Sequence, residues 1–587
     1  MKNKLDILLV NSVAPRQRIA SDAALENGLA ILRTYLESKG CLVEIVDDQR
    51  VTSVEDGVPQ WCLDLLRNMI NLQMKIYNRK LKFLWFIVML LTWPVQALSL
   101  YYRKVYTRSR IDDIIKTIKD KDIEFLGVKV WYGDAFSWSN LLAARVREHC
   151  PNTVIIAGGP HVKVYGEDLL LNSDFDLAIM GPGEKVLEEM IVLRRQVKDK
   201  KEFLDAFQNG NDSSKLIKTG VYNENESIGD KYFTIPHYRP VDLEGKIYFH
   251  TLVDGFGCSW NRCSFCSHTR QTRPYQPRPA SNIADEIQLL SRQGISFFRF
   301  SSSETPLEHG RRIAEEILKK DVNINFSMFA RAVKVTPKVY EAYRCMIRAG
   351  LRAVFIGGET GHDYINEKIM NKGVTRKDLI DTMNCIKLAA ADVGRNCKIG
   401  LSLIYPCPVT DGITLEDVFH ENMLLIKASN PDTVIINPPG VFPKTQWMER
   451  ADEYGFSVNP DFISTFMRYE YSIYKPTELW KDLGYSLQGM SSSDLLKETG
   501  KLRSEVLSLG IPTDISDEYL MMTEAIGYTT RQDLLKFKSR SLHDIMSGSS
   551  KYMKNIVREI NERSRQMANQ SQFRDDITWS RDNDRNT

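Results

Sequence analysis

The chain has 587 residues, 78 Lys and Arg against 75 Asp and Glu for a net charge of +3, and 43% hydrophobic residues. That length holds two large domains and a smaller third, each able to bury its own core. The near-neutral balance excludes the concentrated basic face of a general nucleic-acid binder. Seven of the ten cysteines are dispersed singly, so no disulfide framework is read and a reducing cytoplasm is expected. The charged start, Met1 to Asp6, runs straight into an apolar stretch, so no secretory signal is read either.

Ile7 to Val10 reads as a buried strand. Leu25 to Lys39 follows as a helix, with Leu29, Leu32, Tyr35 and Leu36 on one face and Gly40 stopping it, and Leu42 to Val46 is a second strand. From Ile111 the alternation resumes: helix Ile111 to Lys119, strand Phe125 to Val130, helix Ser139 to His149, and strand Val154 to Ala157. A short helix near Asp168, strand Asp176 to Met180 and helix Glu184 to Arg194 complete it. Strands alternating with helices predict a parallel doubly wound α/β sheet, whose ligands sit beyond the carboxyl ends of the strands. The loops there are Asn11 to Asp22, Trp131 to Phe136, Gly158-Gly159-Pro160-His161 and Gly181-Pro182-Gly183-Glu184. Singly these are ordinary tight turns; together, their glycines let backbone approach a large ligand closely.

An insertion at about residues 57–108 exceeds what such a domain needs. Its core, Phe83 to Tyr102, is long and apolar enough for a membrane span, with Arg79, Lys80 and Lys82 before it and Arg103 and Lys104 after it. One crossing would separate strands that must share a sheet. The segment is therefore expected either to make peripheral membrane contact through residues 83–102 or to pack on protein, as a helical pair over the first domain or the active site.

Residues 1–208 thus form the first domain, with a polar linker expected at 209–230. Residues 231–460 repeat strand and helix six times, from strand Tyr248 to Val253 to strand Thr433 to Ile436, and predict a partial β/α barrel with its chemistry at the strand carboxyl ends. Ser302-Ser303-Glu304 follows the second strand, Arg331 ends the third, Gly357-Gly358-Glu359-Thr360-Gly361 follows the fourth, and Ser402 lies on the fifth. An arginine and a glutamate facing one cleft can pair with a carboxylate and an ammonium or ribose. Asn437 to Thr445 is a proline-rich turn with no catalytic role expected. Residues 461–563 are expected to form a helical cap near the open barrel, and 564–587 are too polar to fold alone.

The first barrel strand leads to Gly255-Phe256-Gly257-Cys258-Ser259-Trp260-Asn261-Arg262-Cys263-Ser264-Phe265-Cys266. Three thiolates on one loop can hold a cubane iron–sulfur cluster by three irons, leaving the fourth open. The alternatives are zinc with His268 as fourth donor, or a reduced thiol cluster. This loop resembles that of the radical S-adenosylmethionine (SAM) enzymes, whose usual spacing is C-x3-C-x2-C with an aromatic residue before the last cysteine. Phe265 fills that position, while four residues rather than three separate Cys258 from Cys263.

The first domain is similar to the cobalamin-binding domain of one class of these enzymes, which shows Gly-Gly-Pro-His and Gly-x-Gly-Glu loops at these places. No D-x-H-x-x-G motif is present, so His161 is expected to be a loop residue and cobalamin to lack a histidine lower ligand. The resemblance, over about residues 5–455, implies a [4Fe-4S] cluster on Cys258, Cys263 and Cys266. It implies SAM contacts from Phe265, Glu304, Arg331, Gly357, Gly358, Glu359 and Ser402, and cobalamin contacts from Gly158, Gly159, Pro160, His161, Gly183 and Glu184. The implied activity is methyl transfer from methylcobalamin to an unactivated carbon after a 5′-deoxyadenosyl radical removes its hydrogen. A radical cyclase, oxidase or carbon–carbon coupling enzyme is the alternative, and a non-catalytic corrinoid or redox-sensing protein a second. The expected partners are a small-molecule, peptide or lipid substrate and a reductase, flavodoxin or ferredoxin as electron donor, with no nucleic acid.

Overall fold

The structure is a computed structural model that describes residues 4–14, 23–79, 81–210, 214–220, 233–268, 275–410, 412–469 and 480–571. Two parallel sheets dominate it. In the first, β1 (Ile7–Asn11), β2 (Val43–Val46), β3 (Phe125–Lys129), β4 (Val154–Gly158), β5 (Leu177–Met180) and β6 (Leu216–Lys218) pair in the order β2-β1-β3-β4-β5-β6. Alternate residues serve opposite faces: Leu8, Val10, Leu126 and Val128 enter one core, and Ile7, Leu9, Phe125 and Ile156 the other. The chain order reverses between β1 and β3, which opens a crevice at their carboxyl ends.

Strand β6 corrects the sequence reading, which placed a linker at 209–230. Its three residues pair with β5 at the sheet edge, too short a run for any periodicity to show. Residues 211–213 and 221–230 of that linker, residues 231–232 after it, and most of the Asn11 to Asp22 loop lie outside the described residues.

Helices α1 (Asn27–Ser38), α2 (Gln60–Asn78), α3 (Lys82–Asp120), α4 (Asp134–His149), α5 (Pro160–Tyr165), α6 (Glu167–Leu171), α7 (Glu184–Arg194) and α8 (Lys200–Gly210) surround this sheet. The apolar insertion and the expected helix Ile111 to Lys119 are one 39-residue helix, α3. No glycine or proline interrupts it after Pro94, so the crossover helix extends outward and packs against α2.

The second sheet starts at β7 (Phe249–Leu252). A two-stranded ribbon, β8 (Gly255–Phe256) with β9 (Gln276–Pro277), then brackets the cysteine loop. Next come β10 (Phe297–Phe300), β11 (Asn325–Ala330), β12 (Leu351–Glu359), β13 (Lys398–Ile404) and β14 (Thr433–Asn437), each beside its predecessor, as in an incomplete barrel. Outside it lie α10 (Ala280–Arg292), α11 (Leu307–Lys320), α12 (Pro337–Ala349), α13 (Arg376–Val393) and α14 (Leu415–Ser429), following a short α9 (Pro240–Leu243). The free edge of β14 is covered by residues 512–514, where Val434 N donates to Pro512 O at 3.2 Å and Asp514 N to Val434 O at 3.0 Å.

Short helices α15 (Gln446–Glu449) and α16 (Phe462–Met467) precede α17 (Ser492–Ser508), α18 (Asp517–Ala525), α19 (Arg531–Ser547) and α20 (Lys551–Asn569). The last three belong to the helical C-terminal region that the sequence predicts. They fill the sheet face opposite α10–α14, where Leu520, Met521 and Met522 pack with Phe249, Phe297 and Phe355. Asp517, 1% exposed, accepts from Arg299 Nε at 2.9 Å and Ser327 Oγ at 2.7 Å. The expected unfolded tail at 564–587 is corrected for residues 564–571. Met553, Ile556, Val557, Ile560 and Met567 continue one apolar stripe, and buried Ser564 accepts from Ser296 N at 2.8 Å. Residues 572–587 lie outside the described part.

The two sheets are stitched together. Buried Arg33 of α1 reaches Asp242 at 2.5 and 3.1 Å and His237 O at 2.9 Å, and buried Lys246 meets Asp47 at 2.6 Å. Met467 joins the core of the first domain, where its carbonyl accepts from Gly133 N at 2.8 Å.

Candidate functional site

Asp254, at the end of the first barrel strand, roots the cysteine loop. Fully buried, it accepts from Ser302 N at 2.9 Å and Thr305 Oγ1 at 2.8 Å, and its carbonyl accepts from Arg278 N at 3.1 Å. Burial raises its pKa against the pull of those hydrogen bonds. The loop root is therefore tied to the segments after β9 and β10.

Over the loop itself lies a strap, Ile369 to Gly373, that no sequence signal disclosed. Ser264 N donates to Met370 O at 3.0 Å and Ser264 Oγ to Ile369 O; Asn371 Nδ2 donates to Arg262 O at 2.9 Å, and Trp260 Nε1 to Asn371 O at 2.8 Å. Arg331 closes the far end, donating to Lys372 O and, at 3.1 Å, to Gly373 O, with its guanidinium 4.0 Å from the Trp260 ring centroid. The four-residue spacer between Cys258 and Cys263 turns through Asn261 at φ 48°, the left-handed conformation that Asn tolerates. The extra residue is thus absorbed locally, and Trp260 is pinned on both sides.

Cys263 is buried, and Cys258 and Cys266 are half-buried. Among the described residues no three His, Cys, Asp or Glu side chains close on one point as a ready metal cage. The thiols instead share one electrostatic neighbourhood. Burial pushes Cys263 up to about 12 and raises Cys266; Cys266 raises Cys263 further, Cys258 raises Cys266, and Lys372 pulls both down. His268, the fourth donor of the zinc alternative, turns its Nδ1 to Lys163 Nζ at 2.9 Å. Three thiols beside fixed cations fit a cluster held by three of its irons, whose negative ligand charge Lys372 and Arg331 offset.

Of the residues expected to hold SAM, Glu304, Arg331 and Glu359 stand at strand carboxyl ends, Gly357 and Gly358 near the end of β12, Ser402 within β13 and Phe265 on the cysteine loop. Glu304 lies 3.7 Å from Cys258 Sγ and exerts a favourable field on Arg331. Glu359, the last residue of β12, is buried at φ 60° and forms an ion pair with Lys372 at 2.7 Å. Burial opposes the Lys372 charge, but Glu359 and Cys263 overcome it and raise its pKa. A Cβ at Gly357 would stand 2.8 Å from Lys372 Nζ and 2.9 Å from Glu359 Oε1, so a larger residue would displace the ends of this pair. Gly358 packs against Leu401, Ser402 is half-buried beside Gly357 on β13, and Phe265 lies 5.7 Å from Trp447. Arg331 departs from the expected role in part: its NH2 is engaged by backbone carbonyls of the strap.

In the first domain, the Gly158-Gly159-Pro160-His161 run leaves β4 and opens α5. A Cβ on Gly158 would meet nothing within 4 Å, and Gly159 holds φ +93°, so the backbone presents an open cradle. His161 is placed in helix rather than loop, because Pro160 at the first position starts α5. Its ring packs on Phe136 and Tyr165, its buried Nε2 has no hydrogen-bond partner among the described residues, and burial lowers its pKa to about 3. Gly183 faces Leu32 at 3.3 Å, a packing role. Glu184, 4% exposed at the start of α7, has its pKa raised to about 7 by burial, against hydrogen bonds from its own and the Gly183 backbone N–H. An open glycine cradle, an orphaned imidazole nitrogen and a buried carboxyl fit a large polar ligand such as cobalamin.

Lys163, two residues after His161, makes the contact with His268, two residues after Cys266. Sequence reasoning had no signal for this pair, whose partners lie on separate domains.

The sequence matches the family model of the radical SAM superfamily over residues 252–406 and that of the B12 binding domain over residues 96–191. Among solved structures the chain is similar to the radical S-adenosylmethionine methyltransferase TsrM from Kitasatospora setae. The TM-score is 0.59 at 15% identity, over 95% of this chain and 99% of that one. It is also similar to the cobalamin-dependent S-adenosylmethionine radical enzyme OxsB, with TM-score 0.50 and 16% identity over 96% of this chain and 80% of that one. At such identities the likeness is one of fold. The anaerobic magnesium-protoporphyrin IX monomethyl ester cyclase of Rubrivivax gelatinosus is 24% identical over 36% of this chain and 40% of its own length. The chain thus spans about two fifths of the length of the curated relatives it matches.

Proposed function

We propose that this protein, a cobalamin-dependent radical SAM enzyme by its B12 binding and radical SAM domains, methylates an unactivated carbon. Bound cluster, SAM and cobalamin supply reductive cleavage of SAM, the hydrogen-abstracting radical and the methyl group. The chain's own residues bind and shield. Cys258, Cys263 and Cys266 would hold the cluster, with Lys372 and Arg331 offsetting its charge. Glu304, the Glu359–Lys372 pair and the Gly357-Gly358 backbone line the place for SAM, and the Gly158-Gly159 cradle with His161 and Glu184 the place for cobalamin.

The observation that carries the reading is the 2.9 Å contact between Lys163 and His268. It sets helix α5, which follows the glycine cradle, against the cysteine loop; a methyl donor and a radical source held at these two places would lie close to one another, as transfer between them requires. Likeness to a methyltransferase over nearly the whole chain supports it. The second reading is ring formation without methyl transfer, favoured by the curated cyclase relative.

The test is anaerobic turnover of reconstituted protein with a low-potential reductant, comparing wild type with Cys263→Ala. The reading expects 5′-deoxyadenosine from wild type alone. Equal amounts from both would remove the cluster from the chemistry.

A further inference from the structure

The hairpin of α2 and α3 is not used by the chemistry, and its charge and exposure set it apart. Between Leu65 and Ile111 there is no Asp or Glu, while nine Lys and Arg occur; the whole chain carries only +3. The rest of the protein is therefore net acidic and the hairpin strongly basic. At its base the hairpin is held: Trp138 Nε1 donates to Thr107 O at 2.8 Å, Arg67 to Ser549 Oγ at 3.4 Å, and His543 Nε2 meets Asn71 Oδ1 at 2.9 Å. Arg103 belongs to this base, 5% exposed with its pKa lowered by burial, and is not the outer flanking charge the sequence reading made it.

Beyond the base, only 22% of the most apolar window of α3, of mean hydropathy 1.8, is buried. Phe83, Ile87, Leu90, Ala97, Tyr101 and Val105 are all exposed, and they recur every three to seven residues along one face. That stripe runs about 33 Å at 1.5 Å per residue. The hairpin's inner polar groups answer one another, Gln73 Nε2 donating to Thr92 Oγ1 at 2.6 Å and Thr92 Oγ1 to Val88 O at 2.7 Å. Exposed Lys75, Arg79 and Arg108 stand at the turn and the margins.

We propose that this hairpin lies in the plane of an anionic lipid surface, with the α3 stripe among the acyl chains and the basic residues at the headgroup phosphates. The charged turn argues against end-on insertion, which would carry Arg79 into hydrocarbon. The basic composition of residues 65–111, free of Asp and Glu, favours anionic lipid over stripe-to-stripe pairing with a second copy, since two such segments repel. The topology agrees, because α2 leads out and α3 leads back on the same side.

The experiment is flotation of the full chain with phosphatidylcholine vesicles containing about 30% phosphatidylglycerol, and with phosphatidylcholine alone. Wild type is expected to float with the anionic vesicles about tenfold more than with neutral ones, and less as salt rises. Phe83→Glu/Leu90→Glu, at two exposed positions, is expected to lower flotation about tenfold with the circular dichroism spectrum unchanged. Lys75→Glu/Arg79→Glu should lose the anionic preference. No preference for anionic vesicles, or equal flotation of the Phe83/Leu90 variant, overturns the proposal. So does concentration-dependent self-association that this variant abolishes while wild type fails to float, which assigns the stripe to a second copy.

Discussion

Gly373→Ala probes the strap that holds the cysteine loop. Gly373 adopts φ +62°, and a Cβ there would stand 2.4 Å from two atoms of the Trp260 ring and 3.3 Å from an Arg331 nitrogen. The left-handed backbone alone costs Ala about 1 kcal/mol. The ring must also retreat, giving up the Trp260 Nε1 bond to Asn371 O, worth about 1 kcal/mol, and the Arg331 stacking, worth about 1 kcal/mol more. The total is about 3 kcal/mol. Gly394→Ala separates the two parts: Gly394 has φ +65° but nothing within 4 Å of its Cβ, so this variant should lose only about 1 kcal/mol. Urea unfolding of both apo variants, with iron and sulfide analysis after reconstitution, reads the difference. Gly373→Ala should bind less iron and Gly394→Ala a normal amount. Two variants of equal stability and equal iron content would refute the strap as the loop's support.

Two further outcomes follow from buried charge. Arg33→Ala leaves the Asp242 carboxylate with the Arg239 backbone N–H and the His237 carbonyl without its guanidinium donor at the seam between the sheets, and should cost about 3 kcal/mol of unfolding free energy, whereas a surface pair would cost under about 1. Glu184, raised from 4.5 to about 7, favours its protonated form in the fold; the stability it adds is complete below the ordinary carboxylate range and lost as pH rises through 7. That loss is about 3 kcal/mol, so apo Glu184→Gln should match wild type near pH 4.5 and exceed it by about that amount at pH 8. A constant difference across this range in denaturant titrations would show that the carboxyl does not titrate there.

Much of the site was readable because its chemistry needs particular side chains at fixed chain spacing. The three cysteines, the glycine run that leaves β4, Gly357-Gly358 near the end of β12, Glu304, Arg331 and Glu359 at strand ends and Ser402 within β13 stand on the elements that the alternation of strand and helix predicts. The strap was not readable, since Ile369 to Lys372 act through backbone carbonyls that leave no mark on composition. Nor was the Glu359–Lys372 pair, or the Lys163–His268 contact, which depends on how two domains meet. Strand β6 escaped because three residues carry no period. The insertion's apolar length was plain, but its division into a held base and an exposed stripe required knowing which residues of α2, α4 and α19 touch it.

The most direct test of methyl transfer is to supply the reconstituted, cobalamin-loaded protein with SAM labelled in its methyl group, under a low-potential reductant, and to follow the label. The account predicts label on the corrinoid together with 5′-deoxyadenosine in solution. Formation of 5′-deoxyadenosine with no label ever reaching the corrinoid would contradict it and leave ring formation without methyl transfer as the function.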